Sequence, residues 1–180
     1  VPSATGMTGA QAAKRLLHNA GIDDVEVVQH RGTLTDHYNP VTKKLALSEP
    51  VFNSHSIAAI GVASHEAGHA IQHAKHYAPL WLRSALVPTA RFGSSLGVWG
   101  MIIGMMMMAG GSIVGQSIFY IGALAFGTVI LFQLVTLPVE FDASKRAKQL
   151  AVEQGLILTN EREGMDRVLN AAALTYVAAA

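Results

Sequence analysis

Apolar and polar positions alternate in short segments over the first part of the chain. Thr8 and Gln11 have the spacing of a capping box, in which each side chain satisfies a backbone donor of the first turn, and this predicts a helix over residues 9–19. Three short segments then predict strands, the last two joined by a turn at Asn39 and Pro40; they are residues 25–28, 33–35 and 44–47. This part of the chain therefore indicates one helix and a small sheet.

Longer helical segments follow the predicted sheet. From residue 55 to about residue 76 the chain has no proline and many Ala and Ile residues, and Asn53 and Ser54 just before this segment favour a helix start. The pattern predicts the first long helix. Pro79 begins a second helical stretch, in which Pro88 is a candidate for a kink.

A long uncharged run comes next: from Phe92 to Val139 there is no Asp, Glu, Lys, Arg or His. Because a membrane-spanning helix needs about 20 apolar residues, this run predicts a transmembrane hairpin with spans at residues 96–113 and 118–137 and a turn at residues 115–117. Glycines in the first half have a spacing that lets two spans pack closely, and they are Gly93, Gly97, Gly100 and Gly104. The alternative is a buried hairpin in a soluble core, but such helices seldom stay uncharged on every face.

Beyond the hairpin the chain returns to amphipathic helices. Pro138 marks the exit from the second span, residues 139–154 form a helix that Gly155 ends, and Thr159 starts a last helix. The whole pattern predicts a mostly α fold with a small β-sheet, of the α+β class. We expect an N-terminal part, the hairpin and C-terminal helices, with bounds 1–91, 92–138 and 139–180.

Composition supports a membrane protein and narrows the chemistry. Apolar residues make up 51% and charged residues only 14% of the chain, whereas about a quarter of the residues in a soluble protein are charged. The lipid bilayer is therefore an expected partner. The net charge of +1 and the lack of a basic patch give no reason to expect nucleic acid. Cysteine is absent, so any metal site must use His and carboxylate ligands. The chain begins at Val1 without an initiator Met, and we expect it to be trimmed.

The sequence His65-Glu66-Ala67-Gly68-His69 lies within the first long predicted helix. Since a helix turns once per 3.6 residues, His65 and His69 share one face and can bind one zinc ion together. Glu66 is rotated by about 100° from His65, so it can accept a proton from zinc-bound water as a general base. The alternative is a structural pair of His residues, with Glu66 in a salt bridge.

A catalytic zinc usually has three protein ligands and one open position, so a third ligand is needed. Gln72 and Lys75 occupy the positions where the extended metzincin motif requires Gly and His, which excludes that class. His73 lies one turn beyond His69, about 6 Å further along the axis, and does not fit as a ligand. A substrate-side or supporting role for His73 stays open beside that of an ordinary exposed His, and the same applies to His76.

Glu140 is the better candidate for the third ligand. It begins the buried stripe of the helix at residues 139–154, where an unpaired carboxylate costs several kcal/mol and needs a cation. The alternative to zinc is a salt bridge to an arginine such as Arg83 or Arg146. Asp142 and Ser144, close by on the same helix, are candidates for orienting a ligating His.

Topology agrees with this ligand set. Two spans return the chain to the side that it left, so Glu140 re-emerges where His65 and His69 already lie. Basic residues flank the hairpin on this side and none flanks the turn, which predicts a cytoplasmic site by the positive-inside rule; they are Arg83, Arg91, Lys145, Arg146 and Lys148.

Five motifs are specific enough to compare with known families, and they are LTDHYNP (34–40), VASHEAGHAIQ (62–72), YAPL (77–80), FQLVTLPVEF (132–141) and VLNAAALTY (168–176). Together they resemble the YugP-type neutral zinc metallopeptidases of bacterial membranes. That family looks like a relative of the HtpX and CAAX-prenyl-protease gluzincins. The resemblance implies a zincin-like domain with an inserted hairpin, zinc ligands at His65, His69 and Glu140, and a base at Glu66. HtpX-like enzymes usually have Asp where this chain has Ser144, and family members typically carry further hydrophobic segments at both ends.

Two regions are candidates for substrate contacts. In gluzincins a strand beside the cleft pairs with extended substrate, so His37 or Tyr38 in the predicted hairpin could contact it. Alternatively, Asp36 and His37 cap the turn. On the last helix, Asn170 and Tyr176 are candidates for stabilising the oxyanion, as is Arg167, with ordinary surface packing as the alternative.

The sequence thus predicts a membrane-anchored zinc endopeptidase that hydrolyses proteins or peptides at the bacterial plasma membrane. The chief alternative is a non-catalytic scaffold or complex subunit that zinc stabilises. A homo-oligomer is compatible with both the endopeptidase and the scaffold. A third possibility, an apolar transporter, is disfavoured because the uncharged run has no ionisable residue to mark a pathway.

Overall fold

The computed structural model describes residues 1–179, except for the side chains at positions 176 and 179. Helices dominate, and one small sheet lies near the N-terminus. In chain order the elements are α1 (Gly9–Asn19), β1 (Glu26–His30), β2 (His37–Asn39), β3 (Lys44–Ser48), α2 (Glu49–Phe52), α3 (Ile57–Ala74), α4 (Ala78–Ala109), α5 (Ile113–Glu153), a short 3-10 helix (Thr159–Glu161) and α6 (Arg162–Ala179).

Helix α1 begins with the predicted capping box. The Thr8 hydroxyl accepts a hydrogen bond from the Gln11 backbone N–H at 3.2 Å, and the Gln11 side chain accepts one from the Thr8 N–H at 2.9 Å. Leu16 and Leu17 on this helix are buried in the main core with residues of α3. The predicted bounds of 9–19 are confirmed.

The sheet has the strand order β1-β3-β2, with β1 parallel and β2 antiparallel to β3, so β2 lies at an edge. The predicted strand at residues 33–35 was wrong, because β2 begins only at His37. Leu34 has a φ of 57° and is exposed, which is turn geometry. Asp36 then accepts hydrogen bonds from the backbone N–H and the hydroxyl of Ser48, at 2.7 and 2.9–3.0 Å, which fixes the start of β2 against the end of β3.

Helix α3 lies at the centre of the core, between α1, α5 and α6. Its small residues bring neighbouring backbones close. At Gly68, an added Cβ would lie 2.8 Å from the carbonyl oxygen of Ala143 on α5, a contact that only glycine permits. This close approach places the His-bearing face of α3 against the second half of α5.

Helices α4 and α5 form an antiparallel hairpin through their glycines. An added Cβ at Gly97 would lie 2.8 Å from the backbone nitrogen of Phe126, and one at Gly104 would lie 2.5 Å from that of Phe119. The predicted close packing is confirmed. Only 17% and 6% of the most apolar 18-residue stretches of α4 and α5 are buried, so the hairpin lies largely outside the buried core. Both helices are long and apolar enough to cross a membrane.

The predicted turn of the hairpin at residues 115–117 was wrong. The chain reverses between Ala109 and Ile113, where Gly111 has a φ of 81°. Gly115 lies inside α5, and an added Cβ there would be 2.7 Å from the Cβ of Met107. The glycine at 115 therefore permits close helix packing, and the one at 111 permits the turn.

Helix α5 also continues where the sequence predicted a break. It runs from Ile113 to Glu153 without interruption, so the predicted separation at Pro138 was wrong, and Pro88 likewise lies inside α4. A proline removes one helical hydrogen bond but leaves the neighbouring ones intact, and this is tolerated in long apolar helices. Gly155, with a φ of 65°, follows the end of α5 as predicted.

Candidate metal centre

Two helices bring His65, His69 and Glu140 together. The His residues lie on α3 and Glu140 on α5, and one ligand atom from each lies within 4.8 Å of the others. The Nε2 atoms of His65 and His69 are 3.0 and 3.5 Å from the same carboxylate oxygen, Oε2 of Glu140. The predicted set of three donors is therefore assembled at one point.

The surroundings of this cluster favour a cation. Glu140 is only 2% exposed, and its Oε1 has the Arg83 guanidinium 3.2 Å away but accepts no hydrogen bond of regular geometry from the described residues. Burial raises the pKa of Glu140, but hydrogen bonds from His65 and His69 and the charges of His69 and Arg83 outweigh burial, so the net pKa is lowered. The carboxylate is held as an anion beside two imidazoles, a donor set that suits zinc.

An arginine also contacts the carboxylate. Arg83 on α4 has its Nη1 3.2 Å from Oε1 of Glu140. The salt bridge that was the alternative to zinc is therefore present, but it uses Oε1, whereas both His residues contact Oε2. Arg146, the second arginine considered, pairs instead with Asp142 at 2.6 Å.

Each imidazole is oriented through its other nitrogen. Nδ1 of His65 lies 3.1 Å from the Ser144 hydroxyl, and Nδ1 of His69 lies 3.0 Å from Oε1 of Gln72, an oxygen that can only accept. With zinc bound at the Nε2 atoms, both Nδ1 atoms would carry the ring protons and donate to these oxygens, which orients the imidazoles. Ser144, which replaces the Asp expected from the HtpX resemblance, therefore contacts a proposed ligand directly.

Gln72 is the site residue that the sequence reasoning missed. It is fully buried and donates from Nε2 to the Val139 carbonyl at 2.9 Å and to Asp142 at 2.8 Å. The predicted orienting role of Asp142 is thus indirect, because Asp142 holds Gln72 and Gln72 contacts His69. The signal was present in the sequence: an uncharged polar residue three positions after His69 shares its face of the helix.

Glu66 lies beside the cluster and faces two cavities. Its side chain is 9% exposed and forms no salt bridge with any described residue, so the alternative of a structural ion pair is not observed there. Cavities of about 250 and 330 Å³ meet at Asp36, His65 and Glu66. A molecule that lies along both cavities would therefore pass the carboxylate of Glu66.

The edge strand β2 lines the smaller of these cavities. His37 is exposed there and Tyr38 is half-buried. Burial and the charge of Asp24 raise the pKa of Tyr38, so its hydroxyl stays protonated, and it lies 2.8 Å from Nδ1 of His73. His73 thus contacts Tyr38 and lies outside the three-residue cluster. His76 is exposed.

The candidates on α6 lie elsewhere. Asn170 accepts a hydrogen bond from Lys148 at 2.6 Å and lines a separate cavity of about 390 Å³, which also includes Ser144. Arg167 is exposed and pairs with Glu163 at 2.6 Å. The side chain of Tyr176 lies outside the described residues, so its predicted role stays a prediction.

Comparison with known proteins defines the class. Residues 1–180 match the family described as "Putative neutral zinc metallopeptidase", and the chain belongs to this family. Zinc is accordingly the cofactor that the cluster of His65, His69 and Glu140 fits. The chain is 47% identical over 181 residues to the "Putative membrane protease YugP" of Bacillus subtilis (strain 168), covering 100% of this chain and 77% of that protein. No solved structure matches it.

Replacing Ser144 by Ala is expected to weaken zinc binding by about 10- to 100-fold, the usual cost of removing a group that orients a ligand. The substitution removes the hydroxyl that lies 3.1 Å from Nδ1 of His65, and Ala keeps the helix. Competition with a zinc indicator would measure the affinity. Ser94→Ala, an exposed serine of α4, is the control, and equal affinities in the two variants would contradict the orienting role.

Proposed function

We propose that the protein is a zinc endopeptidase of the gluzincin type, in which His65, His69 and Glu140 bind zinc and Glu66 is the general base. The observation that carries this proposal is the convergence of three donor atoms within 4.8 Å, two from α3 and one from the C-terminal part of α5. The family supports the peptidase class. The cluster, the adjacent Glu66 and the edge strand β2 support a zincin-like arrangement.

Zinc bound at this cluster would supply a Lewis acid that polarises a water molecule and the substrate carbonyl. Glu66 accepts a proton from the attacking water as the oxygen–carbon bond forms. It then gives this proton to the amide nitrogen as the carbon–nitrogen bond breaks, which releases an amine and a carboxylic acid. Ser144 and Gln72 hold the two imidazoles in place throughout.

Strand β2 is the proposed guide for the substrate. Among the described residues only β3 pairs with it, so its other edge is unpaired there. An extended peptide that adds to this edge would be held by backbone hydrogen bonds, which do not depend on its sequence. His37 lines the cavity next to this edge and can contact the peptide.

We further propose that α4 and α5 cross the plasma membrane and that the site lies on its cytoplasmic side. Residues 1–91 and 139–180 would then form one domain, with residues 92–138 in the bilayer. Lys145, Arg146 and Lys148 on α5 and Arg83 and Arg91 on α4 support this orientation by the positive-inside rule.

A non-catalytic, zinc-stabilised scaffold is the second candidate. The ion pair between Arg83 and Glu140 favours it, since a carboxylate paired with arginine can also serve a structural site. The two candidates differ in whether the fourth zinc position is open to a water molecule.

Removal and return of zinc would test the proposal. The full chain in detergent micelles is stripped with a chelator and then given zinc or, as a control, magnesium. We expect about one zinc ion per chain, bound through three protein ligands. Cleavage of an unstructured protein that carries a fluorescent label should stop after chelation and return when zinc, but not magnesium, is added. Stoichiometric zinc with no cleavage under any condition would instead establish the scaffold.

A further inference from the structure

An apolar cavity of about 450 Å³ lies next to the metal cluster and has no role in the mechanism above. The residues after β2 form one wall, with Pro40 and the exposed Val41. The first turns of α4 form the other wall, with Tyr77, Leu80 and Trp81. Most of its surface is apolar, and it is large enough for an aromatic or branched side chain.

This apolar cavity adjoins the cavity beside the metal cluster. Pro40, Leu80 and Ser84 line both cavities. The edge strand β2 runs in the same direction, from His37 at the cavity beside the cluster to Asn39, and Pro40 follows at the apolar cavity. A peptide paired with β2 would therefore extend towards the apolar cavity.

Trp81 has an unusually exposed indole ring at the edge of this cavity. It is 75% exposed, although burial of an indole ring is strongly favourable. Leu80, the adjacent residue, is only 8% exposed and closes the cavity from inside. The indole thus covers one side of a cavity that has a buried apolar floor and an open mouth.

We propose that this cavity binds a bulky apolar side chain of the substrate, close to the bond that is cleaved. The inference rests on the proposed peptidase function and names its substrate class: extended polypeptide segments with large apolar residues. Such segments are exposed in unfolded or membrane-derived proteins. The competing occupant is a lipid acyl chain, because α4 continues into the apolar hairpin.

Binding can be measured apart from cleavage. The chain has two tryptophans, so the double variant Trp99→Phe, Glu66→Gln keeps Trp81 as the only one. This zinc-loaded variant, in vesicles of phosphatidylcholine and phosphatidylglycerol, is titrated with a short peptide that carries 4-bromophenylalanine, a contact quencher of indole fluorescence. We expect saturable quenching, and competition by the unbrominated Phe peptide but not by the same peptide with Ser.

Two results of this titration would overturn the proposal. One is the absence of quenching by the bromophenylalanine peptide. The other is quenching by brominated phosphatidylcholine that the Phe peptide does not relieve, which would assign the cavity to lipid. Saturable quenching by the peptide without any cleavage by the wild-type chain would uphold the cavity assignment and reject the peptidase function.

Specificity supplies the second measurement. Trp81→Ala is expected to lower kcat/KM for the Phe peptide by about 10-fold, because lost apolar contacts in a pocket cost this much or more. Cleavage of the Ser peptide should stay within about 2-fold of wild type, since it gains nothing from the cavity. Trp99→Ala, a second exposed tryptophan of α4 outside the cavity, is the matched control and should leave both unchanged. Equal losses for both peptides in Trp81→Ala would reject the specificity role.

Discussion

Replacing Glu66 by Gln is expected to lower kcat by about 10²–10⁴-fold, the usual contribution of a general base. Gln has the shape of Glu but cannot take the proton from water. The zinc ligands are unchanged, so bound zinc should stay at the wild-type level. Steady-state cleavage of an unstructured protein, together with metal analysis of the same sample, would measure both quantities.

The control for this prediction is Glu49→Gln, an exposed carboxylate at the start of α2, which should keep full activity. Its loss of charge is the same as in Glu66→Gln. Full peptidase activity of zinc-loaded Glu66→Gln would remove Glu66 from the mechanism, whatever the geometry of the cluster.

Replacing Glu140 by Gln is expected to reduce zinc affinity by more than about 100-fold. Loss of a mere orienting group already costs about 10- to 100-fold, and here a ligand itself loses its charge. Gln fills the same volume in this buried position, so the fold is retained. Activity should be lost together with zinc, and isothermal titration with zinc would give the affinity.

Arg83→Met separates the zinc ligand from the salt bridge at Glu140. Methionine removes the guanidinium 3.2 Å from Oε1 but leaves both imidazoles and Oε2 in place. We expect zinc affinity to stay at the wild-type level or to rise, because a competing cation is gone. The metal-free protein should melt at a lower temperature, since a buried carboxylate has lost a partner. Loss of zinc in Arg83→Met with retention in Glu140→Gln would mean that the pair is structural and Glu140 is not a ligand.

Local signals predict the N-terminal helix and the two His members of the cluster. Thr8 and Gln11 satisfy each other within one turn, so their spacing alone predicts the start of α1. His65 and His69 share a helix face for the same local reason. Glu140 was predicted because a carboxylate at the start of a buried helix stripe needs a cation, and the even number of predicted spans agreed with this choice.

Features that depend on contacts between segments far apart in the chain could not be predicted from the sequence. Glycine is compatible with a turn and with close helix packing, and nothing local distinguishes Gly111, which turns, from Gly115, which packs on α4. Pro138 is likewise compatible with the end of a helix and with the interior of a long apolar helix. Gln72 was missed because its role depends on Asp142, which is distant in sequence and adjacent only after α3 packs on α5.

The unbroken course of α5 restricts how this chain can vary. The helix is 41 residues long, or about 60 Å at 1.5 Å per residue, and the apolar hairpin segment and Glu140 belong to the same helix. Inserting one residue between them would turn the carboxylate by about 100° about the helix axis, away from the imidazoles. Insertions and deletions should therefore be tolerated at the reversal near Gly111. They should not be tolerated between the apolar segment of α5 and Glu140, because each added or removed residue would rotate the carboxylate about the helix axis.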